Sequence, residues 1–323
     1  MPSLLLDVLR CLAHDEFVSG EAIASRLGCS RATVHNAVQE AGREGVAIHA
    51  VQGRGYRLVD ALDWLRPESL AQKLEPEGFC FHYFERAPST NGFLLDRARN
   101  GGPHRSVALA EWQTEGRGRR GRSWLAALGN GLTFSLLWRS GRPAAELSGL
   151  SLAVGVFLVQ ALRERGLSRA AVKWPNDIVV DGQKLAGVLI ELSGDMLGPS
   201  TAVVGVGINL RGGEELSQTL GQPVTDLAAH LGPLDRNELF LHLLRRLDAG
   251  LAAFEQQGFV AFQEAWNACH AYNDRVVTMH GGQGDVTVGL ARGVDDSGAL
   301  LLETPAGLLR FHSGEVSLRG TGD

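Results

Sequence analysis

One run of ten residues restricts the fold of this chain more than any other: Glu115-Gly116-Arg117-Gly118-Arg119-Arg120-Gly121-Arg122-Ser123-Trp124. Four arginines and three glycines stand together, clamped between two apolar runs at 107–112 and 132–138. Apolar runs of that length read as strands, so the cationic run is an ordered loop between them. Glycines let a backbone turn its N–H groups toward an anion at close range. Arginine forks grip carboxylate or phosphate oxygens and keep their charge at any working pH. An indole offers a flat face for a base. The composition describes a loop that closes over something anionic and nucleotide-like.

Three rival readings fail. Gly116, Gly118 and Gly121 satisfy the spacing G-x-G-x-x-G, but that fingerprint needs a helix behind it whose N-terminus faces a pyrophosphate. Here Ala126-Ala127-Leu128-Gly129-Asn130-Gly131 leads into a strand, and no acidic residue stands about twenty positions on. A Walker loop needs Gly-Lys-Ser/Thr, absent from this stretch. A disordered Arg/Gly tail would be long and repetitive, whereas this run is short and unrepeated.

At 323 residues the chain has length for two or three domains. Apolar content of 44% and charged content of 21% fit an ordinary globular protein, and a net charge of −5 argues against a bulk electrostatic nucleic-acid binder. Cys11, Cys29, Cys80 and Cys269 show no metal-type or C-x-x-C spacing, which points to a reducing cytoplasm. The N-terminus lacks signal-peptide features. The most apolar window, 147–162, is broken by Ser148, Gly149, Ser151 and Gln160, so it reads as a buried helix rather than a membrane span.

Leu4, Leu5, Val8, Leu9 and Leu12 recur at helical spacing. Ser19 stands as an N-cap before a second helix, Gly28-Cys29-Ser30 forms a tight turn, and residues 31–43 return to helix. Two short helices about a glycine turn are the mark of helix-turn-helix, and residues 46–59 read as a hairpin wing. Arg31, Thr33, His35, Asn36 and Gln39 are the positions on the second helix suited to bases or phosphates. The alternative is a packing or dimerisation module. Residues 1–60 hold six Arg, no Lys and seven Asp plus Glu, a formal −1, so useful DNA affinity would need a dimer on two half-sites.

Residues 64–76, with Pro67 and Pro76, read as a linker carrying one short helix, and a second domain starts near Phe79. Ser89-Thr90-Asn91 caps a helix after a short strand. Lys173-Trp174-Pro175-Asn176-Asp177 interrupts a strand at its proline and presents residues suited to phosphates and a hydrated magnesium ion. Standing alone, it would more often be a solvated strand end. Asp181-Gly182 turns into a strand with Lys184 and Gly187, the glycine marking a close approach by a ligand or another backbone. Gly205-Val206-Gly207-Ile208-Asn209 ends another buried strand. Residues 211–223 read as a loop, and helices follow at 236–257 and 259–270. Beyond Asn273, five short strands in under fifty residues predict a small barrel.

Taken together, Ser89-Thr90-Asn91, residues 116–124, Lys173-Trp174-Pro175-Asn176-Asp177, Lys184-Leu185-Ala186-Gly187 and Gly205-Val206-Gly207-Ile208-Asn209 resemble the bifunctional bacterial biotin–protein ligases that double as biotin operon repressors. The resemblance spans essentially the whole chain. It implies an α+β protein with a winged helix-turn-helix domain at 1–62, a mixed-sheet, class II synthetase-like ligase domain at 63–272 and an SH3-like barrel at 273–323. It implies formation of biotinyl-5′-AMP from biotin and ATP with Mg2+, then transfer to a lysine of the biotin carboxyl carrier protein of acetyl-CoA carboxylase. Operator DNA and a homodimer promoted by biotinyl-5′-AMP are the further partners, with no membrane.

Carried over by resemblance, Ser89, Thr90, Asn91, Gln113, Gly116, Arg117, Gly118, Arg119, Lys184 and Gly187 surround biotin. Arg119, Arg122, Trp124, Lys173, Asn176 and Asn209 meet ATP, with Trp124 on adenine. Lys184, Arg119 and Asp177 are the catalytic candidates, Asp177 doubling as the magnesium ligand or as the group that orients or deprotonates the acceptor lysine, and ordering of the loops 116–124 and 211–223 is expected to exclude water from the acyl adenylate. The second helix departs from the family's more basic pattern at Glu40, Ala41, Gly42 and Glu44, so the other reading is a ligase with a vestigial DNA-binding domain.

Overall fold

Small residues and well-placed caps build the first module. The computed structural model describes residues 4–126, 128–194, 198–280, 286–312 and 317–320. Helices α1 (Leu4–Arg10), α2 (Gly20–Leu27) and α3 (Arg31–Arg43) bury Leu5, Leu9, Ile23, Val34 and Val38 in one core. Ser19 and Ser30 cap α2 and α3, accepting from the N–H groups of Ala22 and Thr33. Strands β1 (Ile48–Val51) and β2 (Gly55–Leu58) form the wing. Gly55 is required where it stands: its φ is +107°, and a Cβ there would fall 2.1 Å from the Val18 carbonyl oxygen.

Helix α4 (Pro67–Leu74) starts with proline at its first turn and buries Leu70 and Leu74 in the central core, so that core begins before Phe79. Strand β3 (Cys80–Ala87), helix α5 (Thr90–Arg99) and strand β4 (Ser106–Gln113) form a crossover with β3 and β4 parallel. Strand β5 (Gly131–Ser140) returns antiparallel after the arginine run. Then come α6 (Leu150–Glu164), β6 (Ala170–Lys173), β7 (Asp177–Val180), β8 (Gln183–Gly194) and β9 (Ser200–Asn209). The seven strands lie in the order β3-β4-β5-β9-β8-β7-β6. Helices α7 (Gly213–Leu220), α8 (Ala228–Leu231), α9 (Arg236–Gln257) and α10 (Val260–Ala268) complete this region.

The sheet has two unlike faces, dictated by the period of two along its strands. Phe134, Leu136, Val204 and Val206 are buried in the large core with α6 and α9, each contributing about 1.5–3 kcal/mol by leaving water. Leu137, Val203 and Ala108 meet Leu94 of α5 on the opposite face. That second face also carries Thr133, Ser135, Gly205 and Gly207, which leaves a hollow beside α5.

Strands β10 (Val276–His280), β11 (Val286–Val294), β12 (Leu300–Thr304), β13 (Gly307–Phe311) and β14 (Ser317–Gly320) form an antiparallel sheet in the order β13-β12-β11-β10-β14, with a register shift between Ala291 and Val294. No described helix is long and apolar enough to cross a membrane.

Two expectations need correction. The buried helix starts at Leu150, because Gly149 takes φ +77° and breaks the chain direction there. The stretch expected as a loop at 211–223 contains α7: Gly212 and Gly221 flank it in left-handed conformation, and Glu214 and Glu215 sit in the first turn, where the helix dipole favours them.

Candidate active site

The arginine run is a tight hairpin in its own right. The Trp124 N–H donates to the Gly116 carbonyl (2.8 Å), and the Gly118 N–H donates to the Arg122 carbonyl (2.7 Å). A Cβ on Gly116 would lie 2.4 Å from the Trp124 carbonyl oxygen. The glycines at 116 and 118 therefore serve the closure of the flap, and the Gly118 N–H is not free for an anion. This corrects the reason given for them from composition.

Beneath the flap lies a cleft of about 550 Å³, within the usual range for small-molecule sites. Its floor is the open face of β5, β8 and β9. The wall at one end is the start of α5 and the end of β4; at the other it is the β6–β7 turn, with α7 as a lid carrying Leu216 and Leu220. Ser89, Thr90, Asn91, Gln113, Arg117, Gly118, Arg119, Arg122, Trp124, Lys173, Asn176, Asp177, Lys184, Gly187 and Asn209 all line it. Gly116 does not; it backs onto Trp124.

The alternate glycines of β9 have a steric cause. A Cβ on Gly207 would sit 2.3 Å from Cε2 of Trp124, and one on Gly205 2.2 Å from Oδ1 of Asn91. The indole thus packs against the floor at Gly207, with its Nε1 buried and without a protein hydrogen-bond partner.

The α5 end is built from uncharged amides and hydroxyls beside one charge pair, Arg117 with Glu191. The Thr90 N–H donates to Oε1 of Gln113 (2.7 Å), the Ser135 hydroxyl donates to Oδ1 of Asn91 (2.6 Å), and the Thr90 and Ser135 hydroxyls are 2.7 Å apart. Asn91 Nδ2 donates to Oε2 of Glu191 (2.9 Å). The polar atoms of Asn91 are therefore engaged within the wall.

The β6–β7 end is charged. Lys184 Nζ is 2.7 Å from Oδ1 of Asp177, and it lies 5.8 Å from the Trp124 ring centroid. Burial, then the neighbouring Arg120, hold the Arg119 pKa below the ordinary arginine value, while Asp177 opposes them. Asn176 donates from Nδ2 to the Val188 carbonyl (2.6 Å), and Asn209 donates from Nδ2 to the Thr225 carbonyl (3.2 Å). Both amides thus brace the backbone as well as line the cleft.

Among the described residues Asp177 is the one carboxylate lining the cleft, and it would hold a magnesium ion brought in on nucleotide phosphates, with waters completing the shell. The Asp177 carboxylate is engaged by Lys184, and among the described residues no group of three potential ligands is gathered anywhere.

Thr133, Ser135, Leu189, Gly205 and Gly207 line the cleft without being among the site residues expected from sequence, and the 211–223 segment, expected to exclude water as a loop, contributes Leu216 and Leu220 from a helix. Thr133 and Ser135 were legible in principle: they are polar at alternate positions of an otherwise apolar strand. The helical form of the 211–223 segment was not, because its contacts come from chain folded back after β9.

On the winged helix, Arg31, His35, Asn36 and Gln39 are exposed on α3. Thr33 is not free in the same way: its hydroxyl is 2.7 Å from Ser30 Oγ in the helix cap. His35 Nδ1 lies 3.2 Å from the Tyr56 hydroxyl, tying α3 to the wing.

Comparison with known proteins agrees with this architecture region by region. Residues 83–209 match the biotin/lipoate A/B protein ligase family, residues 4–57 a helix-turn-helix domain, and residues 274–319 the biotin protein ligase C-terminal domain. The chain is 35% identical to the bifunctional ligase/repressor BirA of Escherichia coli over 316 residues, covering 97% of each. It is 31% identical to the Bacillus subtilis protein of the same description over 313 residues, 95% of each. Among solved structures it resembles a biotin protein ligase from Aquifex aeolicus in complex with biotin and ATP, with a TM-score of 0.64 and 29% identity over 75% of this chain and 99% of that one.

Proposed function

This chain belongs to the family of bifunctional biotin ligase/repressors, and on that premise we propose how its residues divide the work. It is a biotin–[acetyl-CoA-carboxylase] ligase with an N-terminal helix-turn-helix domain, a ligase and repressor in one chain. One observation carries the reading of the site: a single cleft joins a neutral amide-matching end to a cationic end across a glycine floor. A cyclic urea needs the first, and a carboxylate meeting a triphosphate needs the second.

In the first step the biotin carboxylate attacks the α-phosphorus of ATP and pyrophosphate leaves. Two anions approach, so fixed cations must offset their repulsion. Lys184, held by Asp177, faces the reacting oxygens. Arg119, Arg122 and Lys173 meet the phosphates, and Trp124 stacks on adenine. Asn176 and Asn209 support that end. Ser89, Thr90, Asn91, Gln113 and Arg117 surround the ureido ring, with Gly187 allowing its close approach. In the second step the neutral amine of a carrier-protein lysine attacks the mixed anhydride and AMP leaves. The flap and α7 exclude water from that anhydride. Asp177 acts here by holding Lys184.

The acceptor is the biotin carboxyl carrier protein of acetyl-CoA carboxylase, and the setting is cytoplasmic. Operator DNA is met by Arg31, His35, Asn36 and Gln39, as a homodimer promoted by biotinyl-5′-AMP. The functional units divide at 1–62, 63–272 and 273–323. Incubation with biotin, ATP and a carrier domain tests the enzyme: the carrier should gain the mass of one biotinyl group, and an unchanged mass would overturn the assignment. A gel-shift titration with and without biotinyl-5′-AMP tests the repressor half; equal DNA affinity in both would remove the ligand-promoted dimer.

A further inference from the structure

The buried polar wall at the neutral end of the cleft is chained to one carboxylate that does not line the cleft. Glu191, on β8, accepts through Oε2 from Asn91 Nδ2 and from Arg117 Nη2, both at 2.9 Å. We infer that Glu191 is a positioning residue that fixes the donor–acceptor polarity of the biotin-recognising wall. This rests on the reading above that the ureido ring lies at this end.

A carboxylate only accepts, so it admits one orientation of the Asn91 amide: Nδ2 toward Glu191 and the Leu189 carbonyl (3.3 Å). The reverse orientation would set an amide oxygen against two acceptors inside a buried wall. Asn91 Oδ1 then faces Ser135, whose hydroxyl must donate to it at 2.6 Å. With its proton so placed, Ser135 Oγ accepts from Thr90 across 2.7 Å. The other acceptor within reach of the Thr90 hydroxyl is Gln113 Oε1 at 3.0 Å, also in the wall.

Either way the Thr90 proton points inward, and its oxygen offers only lone pairs to the cleft. Gln113 Oε1 already receives the Thr90 N–H, so the Gln113 NH2 remains as a donor beside that acceptor. An acceptor next to a donor matches the N–H and C=O edge of a cyclic urea. Asn91 and Ser135, at 4% and 0% exposure, have no water to compensate a reversed chain. The same Glu191 oxygen anchors Arg117 of the flap, so one group sets both the wall and the arm that closes on it.

The test is Glu191→Gln in the full-length chain, assayed with biotin, ATP and a carrier domain. It is repeated with a biotin analogue in which one ureido N–H is replaced by oxygen, both cyclic carbamate isomers being tried. The substituted amide can donate or accept, so Asn91 is no longer held one way. The KM for biotin should rise roughly tenfold, the size expected for losing hydrogen bonds to a charged group. The KM for ATP and the melting temperature should stay as in the wild type. The preference for biotin over the carbamate should fall by about the same factor, because Thr90 can now donate.

In a Ser135→Ala background, which cuts the chain, Glu191→Gln should no longer change that preference. A wild type that transfers no biotin would overturn the ligase reading and this inference together. A working wild type overturns the inference alone if Glu191→Gln keeps both the biotin KM and the analogue preference within about twofold. So does a parallel loss of ATP binding and thermal stability in the variant, or an unchanged effect in the Ser135→Ala background.

Discussion

The two ends of the cleft recognise by different physics although they share one floor. At the α5 end, Thr90, Asn91, Gln113 and Ser135 satisfy one another, and the charge of Arg117 is paired with Glu191. At the β6–β7 end, Lys184, Arg119, Arg122 and Lys173 converge near the single carboxylate of Asp177. A satisfied neutral network discriminates, since a ligand with the wrong edge leaves buried groups unpaired. A concentration of cations lowers the barrier for anions that would otherwise repel, but it selects weakly among them. The comparison predicts that substitutions at one end act on rate and those at the other on choice of substrate.

The largest effect should come from Lys184→Gln, which removes the ammonium while keeping the bulk of the side chain. Adenylate formation, followed by biotin-dependent pyrophosphate exchange, should slow about 10²–10³-fold, as for loss of one preorganised group at a developing charge. The KM for biotin should change little. A comparable loss in both quantities would erase the division between the ends.

The comparison also shows why some of the molecule was legible in the sequence and some was not. The flap was legible because its composition fits no strand or helix, and Lys173-Trp174-Pro175-Asn176-Asp177 because proline interrupts a strand there. The winged helix announced itself through Ser19, Ser30 and Gly28, local caps that need no tertiary knowledge. Glu191, by contrast, reads as one more charged residue near a strand end. Its role arises from Asn91, a hundred residues away, folding over Gly205. In the 211–223 segment, expected as a water-excluding loop, the helix was missed although its flanking glycines are ordinary helix stops, because serine, glutamine and threonine in 213–220 weakened the helical period. The buried pair Glu111–Arg236, which also takes the Leu65 N–H and so ties the linker to β4 and α9, was invisible for the same long-range reason.

Acid should separate the ends next. His270 stacks on Trp266 behind the β6–β7 hairpin, bridged to Val172, and neither ring nitrogen has a protein partner. Burial pushes its pKa from the ordinary 6.5 down to about 4. Below about pH 6.5 the unfolded chain takes up a proton that the folded chain refuses. The stability is therefore fully present above that pH and is lost as the pH falls toward 4, by on the order of 3 kcal/mol. Because no hydrogen bond is lost, His270→Phe should fold and flatten the decline in melting temperature between pH 6.5 and 4. An equally steep decline in the variant would place the acid sensitivity elsewhere.

A smaller effect is expected where the floor meets the base-stacking indole. Gly207→Ala sets a Cβ 2.3 Å from the Trp124 ring, so the indole must move. The KM for ATP should rise roughly 10- to 30-fold, as for loss of one well-placed aromatic contact with its packing. The preference among biotin analogues should hold, since Thr90 and Gln113 lie on other elements. If the preference fell with ATP binding, the floor would couple the two ends and they would not be independent.

The smallest effect belongs to Asp177→Asn, and it sharpens the comparison most, because it removes the carboxylate facing Lys184 at the charged end. Asp177 lies 2.7 Å from Lys184 Nζ with both side chains partly exposed, so solvent screens the pair and its loss should be modest. The asparagine can still accept one hydrogen bond from the ammonium. Adenylation should therefore slow by about fivefold to tenfold, with the biotin KM unchanged. The second half-reaction, started from preformed biotinyl-5′-AMP, should keep its rate, since Asp177 acts by holding Lys184 and not by taking a proton from the acceptor amine. A transfer step slowed more than adenylation would return Asp177 to the role of base and leave Lys184 held by its backbone strand alone.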